Sequence, residues 1–221
     1  MAYSAVPTVV TGQTWTAANQ NTYVKDNFAA VFPYTTAGDI AYATSASALT
    51  RLAVGGLGAL LGATATAPAW LTPSTSGAFL ICDADEATGL RWVVPQLDTV
   101  DTNESSTSTT YTDLATAGPT ITLDVGANGI AEIWWGARIA ATAASAGGAY
   151  VGVGLNGADP GTTYDAVSGI TDPDFATSVF GYRKFTGLTP GNNIFKLRYL
   201  TTSGSSGGTR FAYRWIRGYS L

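Results

Sequence analysis

The sequence predicts a mainly β protein: a short N-terminal helix, a Gly/Ala-rich β segment, and a C-terminal antiparallel β-sandwich of the jelly-roll kind. Three observations carry that expectation. From residue 111 onward, short runs of alternating apolar and polar residues recur between turn signals. Only one stretch, Ala17 to Val31, has apolar residues near helical spacing. Between them, residues 37–95 are dominated by Ala, Gly and Thr, with aliphatic runs too short for helices.

The elements follow in chain order. Residues 1–36 form a lead segment in which Thr14-Trp15-Thr16 is placed to cap a helix. Ala17, Val24, Phe28 and Val31 make a narrow apolar stripe, and Pro33 stops the helix. Such a stripe suits packing against copies of itself or against a host assembly. Residues 37–95 carry an internal repeat, since Gly58-Ala59-Leu60-Leu61 returns as Gly77-Ala78-Phe79-Leu80. Each copy runs through a turn to a tryptophan, Trp70 and Trp92, so each is expected as strand, turn and strand. Two such units leave unpaired edges and one-sided faces, which association of several chains would cover.

Residues 96–110 are expected as a linker, because the stretch DTVDTNESSTSTT holds no large aliphatic residue except Val100. Within it Asn103-Glu104-Ser105 matches the glycosylation triplet, but no basic region precedes an apolar run at the N-terminus, so secretion is not expected. Residues 111–221 hold the sandwich. Ile121, Leu123 and Val125 alternate; Ile130 to Ile139 follows a Gly-Ala-Asn-Gly turn; Tyr150 to Leu155 is Gly-rich. Phe195, Leu197 and Tyr199 face one way, Lys196 and Arg198 the other, and Phe211, Tyr213, Trp215 and Tyr219 are expected to repeat that pattern. Trp134-Trp135 must put one ring on each face of its strand, and exposed aromatics there could stack on sugars.

Composition argues against an enzyme. The 221 residues include no histidine and a single cysteine, Cys82. Imidazole relays, His-ligated zinc, intrachain disulfides and thiolate clusters are therefore excluded. Cys82 is expected as a small buried hydrophobe. The charged fraction, 12%, is about half the roughly 25% of ordinary domains, while aromatics reach 11%, so disorder by self-repulsion is not expected. The most apolar stretch, Leu52 to Leu61, is far too short to span a membrane.

The net charge of −4 hides an asymmetry. Residues 1–180 carry four basic residues against all fifteen acidic ones, and residues 181–221 carry seven basic residues and no acid. Either the basic tail binds an anionic surface, or its strands pair with acidic neighbours within the fold or across subunits. The second reading is favoured because the basic residues alternate with large apolar ones, as strands require.

No candidate site survives its plainer explanation. Gly152-Val153-Gly154-Leu155-Asn156-Gly157 matches G-x-G-x-x-G, but Asp159-Pro160-Gly161 follows where a dinucleotide fold needs a helix. Asp83, Asp85 and Glu86 lack the third Asp and Gly of a calcium loop, and Pro173 splits Asp172 from Asp174; surface turns are favoured over calcium sites. No carboxylate pair stands out for glycoside hydrolysis. No catalytic, cofactor-binding or metal-ligating residue is assigned, and no cofactor is expected.

One segment resembles a family. Thr36-Ala37-Gly38-Asp39-Ile40-Ala41-Tyr42-Ala43-Thr44, then Leu49-Thr50-Arg51-Leu52-Ala53-Val54-Gly55, Gly58 to Leu61 and Pro68-Ala69-Trp70, is similar to a segment of tailed-bacteriophage virion proteins. There it runs G-D-[IL]-[IVA]-x-A, R-L-x-[IV]-G, G-x-x-L and P-x-W, in tail fibres, minor tail proteins and head fibres. Gly12 to Asn27 looks like the lead segment of such proteins, and residues 111–221 are similar in pattern to trimeric C1q/TNF-like heads. Gly56-Leu57 replaces a more polar turn, and the second repeat lacks Pro before Trp92.

The resemblance implies a non-enzymatic virion structural protein, a homotrimeric tail fibre or spike. Residues 1–36 would contact other virion proteins of the tail or capsid, 37–95 form a shaft, and 111–221 form a distal head for the host surface, a glycan among its candidate ligands. No nucleic-acid partner and no membrane insertion are expected. A capsid decoration or head-fibre protein is the alternative, distinguished by hundreds of copies per particle. A polysaccharide-degrading tailspike is disfavoured, since spikes usually carry long β-helical domains.

Overall fold

A computed structural model of the chain describes residues 8, 10–46, 48–73, 75–142, 147–160, 166–171, 176–202 and 208–221. The chain divides into two compact units, Met1–Ser74 with Glu86–Leu90, and Thr75–Asp85 with Arg91–Leu221.

The first unit opens with the expected helix. The Thr16 hydroxyl accepts the Asn19 N–H at 3.2 Å and starts α1 (Ala17–Gln20). The chain passes through a wider π-type turn, Asn21–Lys25, into α2 (Asp26–Val31), which ends two residues before Pro33. Phe28, Val31 and Phe32 stay exposed along it.

Antiparallel hairpins come next: β1 (Ile40–Ser45) with β2 (Ala48–Leu52), then β3 (Leu60–Ala63) with β4 (Pro68–Leu71). A third strand pair, β5 (Phe79–Cys82) with β6 (Leu90–Val93), forms its own two-stranded sheet and belongs, but for Leu90, to the second unit. Each is entered through the same turn. The N–H of Asp39, Ala59 or Ala78 donates to the carbonyl three residues earlier, at 3.2, 3.0 and 3.3 Å. The residue before each donor is a left-handed glycine, Gly38, Gly58 or Gly77, with φ of 90°, 76° and 83°. The repeat therefore has three copies, not the two expected, and the first is the Gly38-Asp39-Ile40-Ala41 segment.

The residues of the resemblance motif hold these hairpins. Asp39 accepts the N–H groups of Thr35 and Thr36 at 2.9 Å and of Val54 at 3.2 Å, and pairs with Arg51 at 3.1 Å. The Thr35 N–H foremost, with Thr36, Arg51 and Val54, outweighs desolvation and holds its carboxyl well below the usual range. Trp70 donates its indole N–H to the Ala53 carbonyl at 2.7 Å, and its ring lies so close to Gly55 that a Cβ there would meet it at 2.5 Å.

The second unit contains the sandwich. Its strands are β7 (Gln96–Val100), β8 (Glu104–Ser106), β9 (Thr120–Val125), β10 (Ala131–Ala141), β11 (Gly147–Leu155), β12 (Ala166–Thr171), β13 (Thr177–Phe185), β14 (Gly191–Thr201) and β15 (Thr209–Ser220). One sheet runs β13-β10-β15-β7, with β8 also on β15, and the other β12-β11-β14-β9. These strands pair antiparallel. Chain order alternates largely between the sheets and brings β7 beside β15, a jelly-roll arrangement.

Inward residues close one core. Ile121, Leu123 and Val125 of β9 meet Ile133, Trp135 and Ile139 of β10, with Val151, Phe195, Leu197, Tyr199, Phe211 and Ile216. The Trp135 indole N–H donates to the Val151 carbonyl at 3.0 Å, linking the sheets across that core. Phe185 meets Phe195 edge-on at 5.1 Å.

Two expectations are corrected. Gln96–Val100 and Glu104–Ser106 form β7 and β8, paired to β15, where a linker is predicted over 96–110. An edge strand contributes backbone hydrogen bonds and needs few aliphatic residues, so Thr, Ser and Asp suffice; Asp98 also accepts the Thr120 N–H at 2.7 Å. Cys82 is exposed instead of buried, because it is the last residue of a four-residue strand whose preceding three residues take the partly covered positions.

Candidate functional site

The outer face of the β13-β10-β15 sheet is the surface that sets the sandwich apart. Register puts Tyr182, Trp134 and Arg217 in one row across the three strands, and Phe180, Gly136 and Trp215 in the next. Trp134 thus faces out while Trp135 enters the core, as the dipeptide requires. The Trp134 ring lies between Tyr182, at 5.0 Å, and Tyr219, at 5.4 Å. Phe79 meets Tyr219 edge-on at 5.0 Å. A Cβ at Gly136 would lie 2.7 Å from the Trp215 indole nitrogen, so the missing side chain is what lets that ring lie against the sheet.

Phe180 is 78% exposed and Tyr182 50%. The Tyr219 hydroxyl donates to Glu132 at 2.8 Å; desolvation and this carboxylate push both Tyr219 and Tyr182 above the usual phenol range. The outer face of the opposite sheet is mostly polar, with Thr122, Asp124, Lys196 and Arg198 along β9 and β14. An aromatic band with hydroxyl and guanidinium tips can be covered by protein or stack on sugar rings.

A bulge in β15 builds this face. Trp215 pairs with Gly136 but Ala212 pairs with Arg138, so three steps on β15 oppose two on β10. Tyr213 absorbs the extra step at φ 46°, a left-handed conformation rare for an aromatic residue. The expected alternation of Phe211, Tyr213, Trp215 and Tyr219 on one face is corrected accordingly. Phe211 is buried, then the phase reverses, and Tyr213, Trp215 and Tyr219 turn outward while Arg214 and Ile216 turn in.

Arg214, fully buried, anchors the reversal. Its guanidinium donates to Glu104 at 2.9 Å, the Thr102 hydroxyl at 2.7 Å and the Thr116 carbonyl at 3.2 Å. It also lies 5.4 Å from the Tyr199 ring centre. Desolvation opposes the Glu104 charge, but the Thr116 hydroxyl and N–H, at 2.6 and 2.9 Å, together with Arg214 bring its carboxyl below the usual range. Burial drives the Tyr199 hydroxyl strongly upward, and it donates to the Gly118 carbonyl at 2.7 Å. The sequence offers no sign of this pair, whose members are 110 positions apart.

Other basic residues of the tail also find acids. Lys196 pairs with Asp113 at 2.8 Å, and Arg198 with Asp113 at 3.4 Å and Asp159 at 2.9 Å. Pairing within the fold thus accounts for part of the charge asymmetry. Asp83 is not a surface-turn residue: it is buried, pairs with Arg91 at 2.7 Å and accepts the Asp85 N–H at 3.1 Å. Asp172 and Asp174 lie outside the described residues. Residues 152–155 end β11 and run into a turn at Asn156 and Gly157, as the plainer reading of the glycine motif expects. Among the described residues, no group of three or more potential metal ligands converges, and no helix is long and apolar enough to cross a membrane.

The second unit is therefore an antiparallel β-sandwich with one aromatic outer face. No protein-family model and no curated protein sequence matches the chain. Among solved structures, the chain is similar to the CBM22-1 xylan-binding domain of Paenibacillus barcinonensis Xyn10C, at 13% identity and TM-score 0.26, over 66% of this chain and 85% of that one. It is also similar to a chain of infectious bursal disease virus, Gt strain, at 13% identity and TM-score 0.34, over 81% of this chain and 41% of the other. A chain of the T=1 particles derived from that virus gives 13% and 0.36, over 78% and 40%. The chain spans about two fifths of the length of these viral chains. Likenesses this loose leave the architecture to be read from the molecule's own sheets.

Proposed function

We propose that the chain is a non-enzymatic structural protein of a tailed-phage virion, a homotrimeric tail fibre or spike. Residues 1–36 attach it to the particle, 37–95 serve as a shaft, and the β head meets the host surface. One observation carries the reading: the described part of the first unit has no apolar core of its own. Among its described residues no apolar side chain is buried, while Phe28, Phe32, Val54, Leu57, Leu60 and Leu61 are exposed. Two-stranded sheets are marginal alone in water, so such a unit is stable when other copies cover it. The aromatic face of the head is a second surface suited to a neighbouring copy. Light scattering on the full chain after size-exclusion chromatography is the test. The expected mass is about three times the chain mass of 22.7 kDa, and a monomer at micromolar concentration overturns the reading.

A further inference from the structure

The bulge that reverses β15 also shapes a pocket at one end of the aromatic face. Ala140 pairs with Arg210 and Arg138 with Ala212, so Arg138 and Arg210 are diagonal neighbours on the outer surface. Both are exposed, and neither has an ion-pair partner among the described residues. Like charges so placed repel one another. Elsewhere in the same unit Lys196, Arg198 and Arg214 are matched to carboxylates, whereas Lys184 and Arg217 are exposed and, among the described residues, unpaired like Arg138 and Arg210; what distinguishes the latter two is that they share one concavity. The two arginines line a concavity of about 360 Å³, which Asp101, Asn103 and Tyr213 complete.

The rim of this pocket is fixed from beneath. Asn103 precedes Glu104 and Tyr213 precedes Arg214, and those two neighbours form the ion pair at 2.9 Å. One buried contact therefore holds both sides of the opening. Tyr213, 59% exposed, keeps its left-handed φ because of that anchor, and strained residues held by their surroundings cluster where ligands bind.

We infer that this pocket binds an acidic saccharide. Two guanidinium forks match a carboxylate or phosphate borne on a sugar. The Tyr213 ring offers an apolar face to the sugar ring, and Asp101 and Asn103 can pair with its hydroxyls. The size suits one or two sugar units, within the roughly 300–1,000 Å³ of small-ligand sites. A flat apolar patch would suit a second copy equally well; a concave site with paired unmatched cations favours a small anion. The inference rests on the reading of the head as the part that meets the host surface.

Calorimetry on the full chain tests it, with trigalacturonate as the carboxylate probe, a phosphorylated mannose oligosaccharide as the phosphate probe and uncharged trigalactose as the control. Light scattering is recorded on the same samples. One acidic probe is expected to bind at least tenfold more tightly than trigalactose. Arg138→Gln and Arg210→Gln should each weaken it about tenfold at unchanged oligomer mass, with Arg138→Lys recovering part of the loss. Equal binding of the neutral sugar, or binding of neither acidic probe, overturns the inference while leaving the fibre reading intact. Dissociation of the oligomer by Arg138→Gln also overturns it, by assigning the pocket to a neighbouring copy. Arginine-dependent sugar binding by a monomer sustains the pocket and removes the fibre reading instead.

Discussion

The two units solve the problem of holding a β structure together in opposite ways. The head buries a full layer of side chains between two sheets, from Ile121 to Ile216, and places the fully buried Arg214 on a carboxylate. In the hairpin unit, turns and side-chain clamps do the holding: Asp39 gathers three backbone N–H groups, Trp70 ties to Ala53, and Thr64 bonds its hydroxyl to the Ala67 carbonyl at 2.8 Å. The contrast shows that local hydrogen bonding can specify a backbone path without supplying the apolar burial that normally stabilises it.

Substitutions can break that contrast. Arg214→Leu strands Glu104 beside Thr116 and should cost the head about 3–5 kcal/mol in urea unfolding. A loss under about 1 kcal/mol would show that the pair is dispensable. Leu197→Ala should cost about 2–5 kcal/mol, as core truncations do, whereas Leu61→Ala in the hairpin unit should leave head unfolding unchanged and lower the oligomer mass instead. Equal effects at Leu197 and Leu61 on head unfolding would erase the distinction between the units.

Gly55→Ala sharpens it. Its Cβ would collide with the Trp70 ring, at a cost of about 1–3 kcal/mol confined to the hairpins, visible as faster amide exchange there with the head unaffected. Acid should act in the same place. The Asp39 carboxyl titrates below its unfolded value, so its stabilising effect is complete above about pH 4 and fades as pH falls through the lower, folded value. Asp39→Asn should flatten that acid dependence in amide exchange; an unchanged profile would show that the clamp contributes nothing. The smallest effect is expected from Tyr213→Gly, which relieves the left-handed backbone and should leave the head about as stable or up to about 1 kcal/mol more so by thermal unfolding.

Much of the head was readable from its residues. Alternation in Ile121-Leu123-Val125 and Phe195-Leu197-Tyr199 marks the inner faces, and adjacent tryptophans can only divide between faces. The bulge was hidden because left-handed positions announce themselves through Gly or Asn, and here the residue is Tyr213. Strands β7 and β8 were hidden because Thr, Ser and Asp serve an edge strand and a linker equally well. The aromatic face was half visible: Trp134 could be placed outside, but Trp215 and Tyr219 joined it only through the phase reversal. The first hairpin's kinship with the other two lies in the turn glycine at 38, 58 and 77, not in its strand residues, Ile40-Ala41 against Leu60-Leu61 and Phe79-Leu80.

That glycine spacing has a consequence for how such a chain can vary. Each of the three turns is closed by a backbone hydrogen bond and one left-handed residue, and among the described residues no backbone hydrogen bond runs from one of these turns to the next. Duplicating or deleting a whole module of about twenty residues would therefore join compatible ends, as in arrays built from nearest-neighbour units. The number of hairpins could change in discrete steps at the first two modules, while the third, whose Phe79 meets Tyr219, stayed with the sandwich.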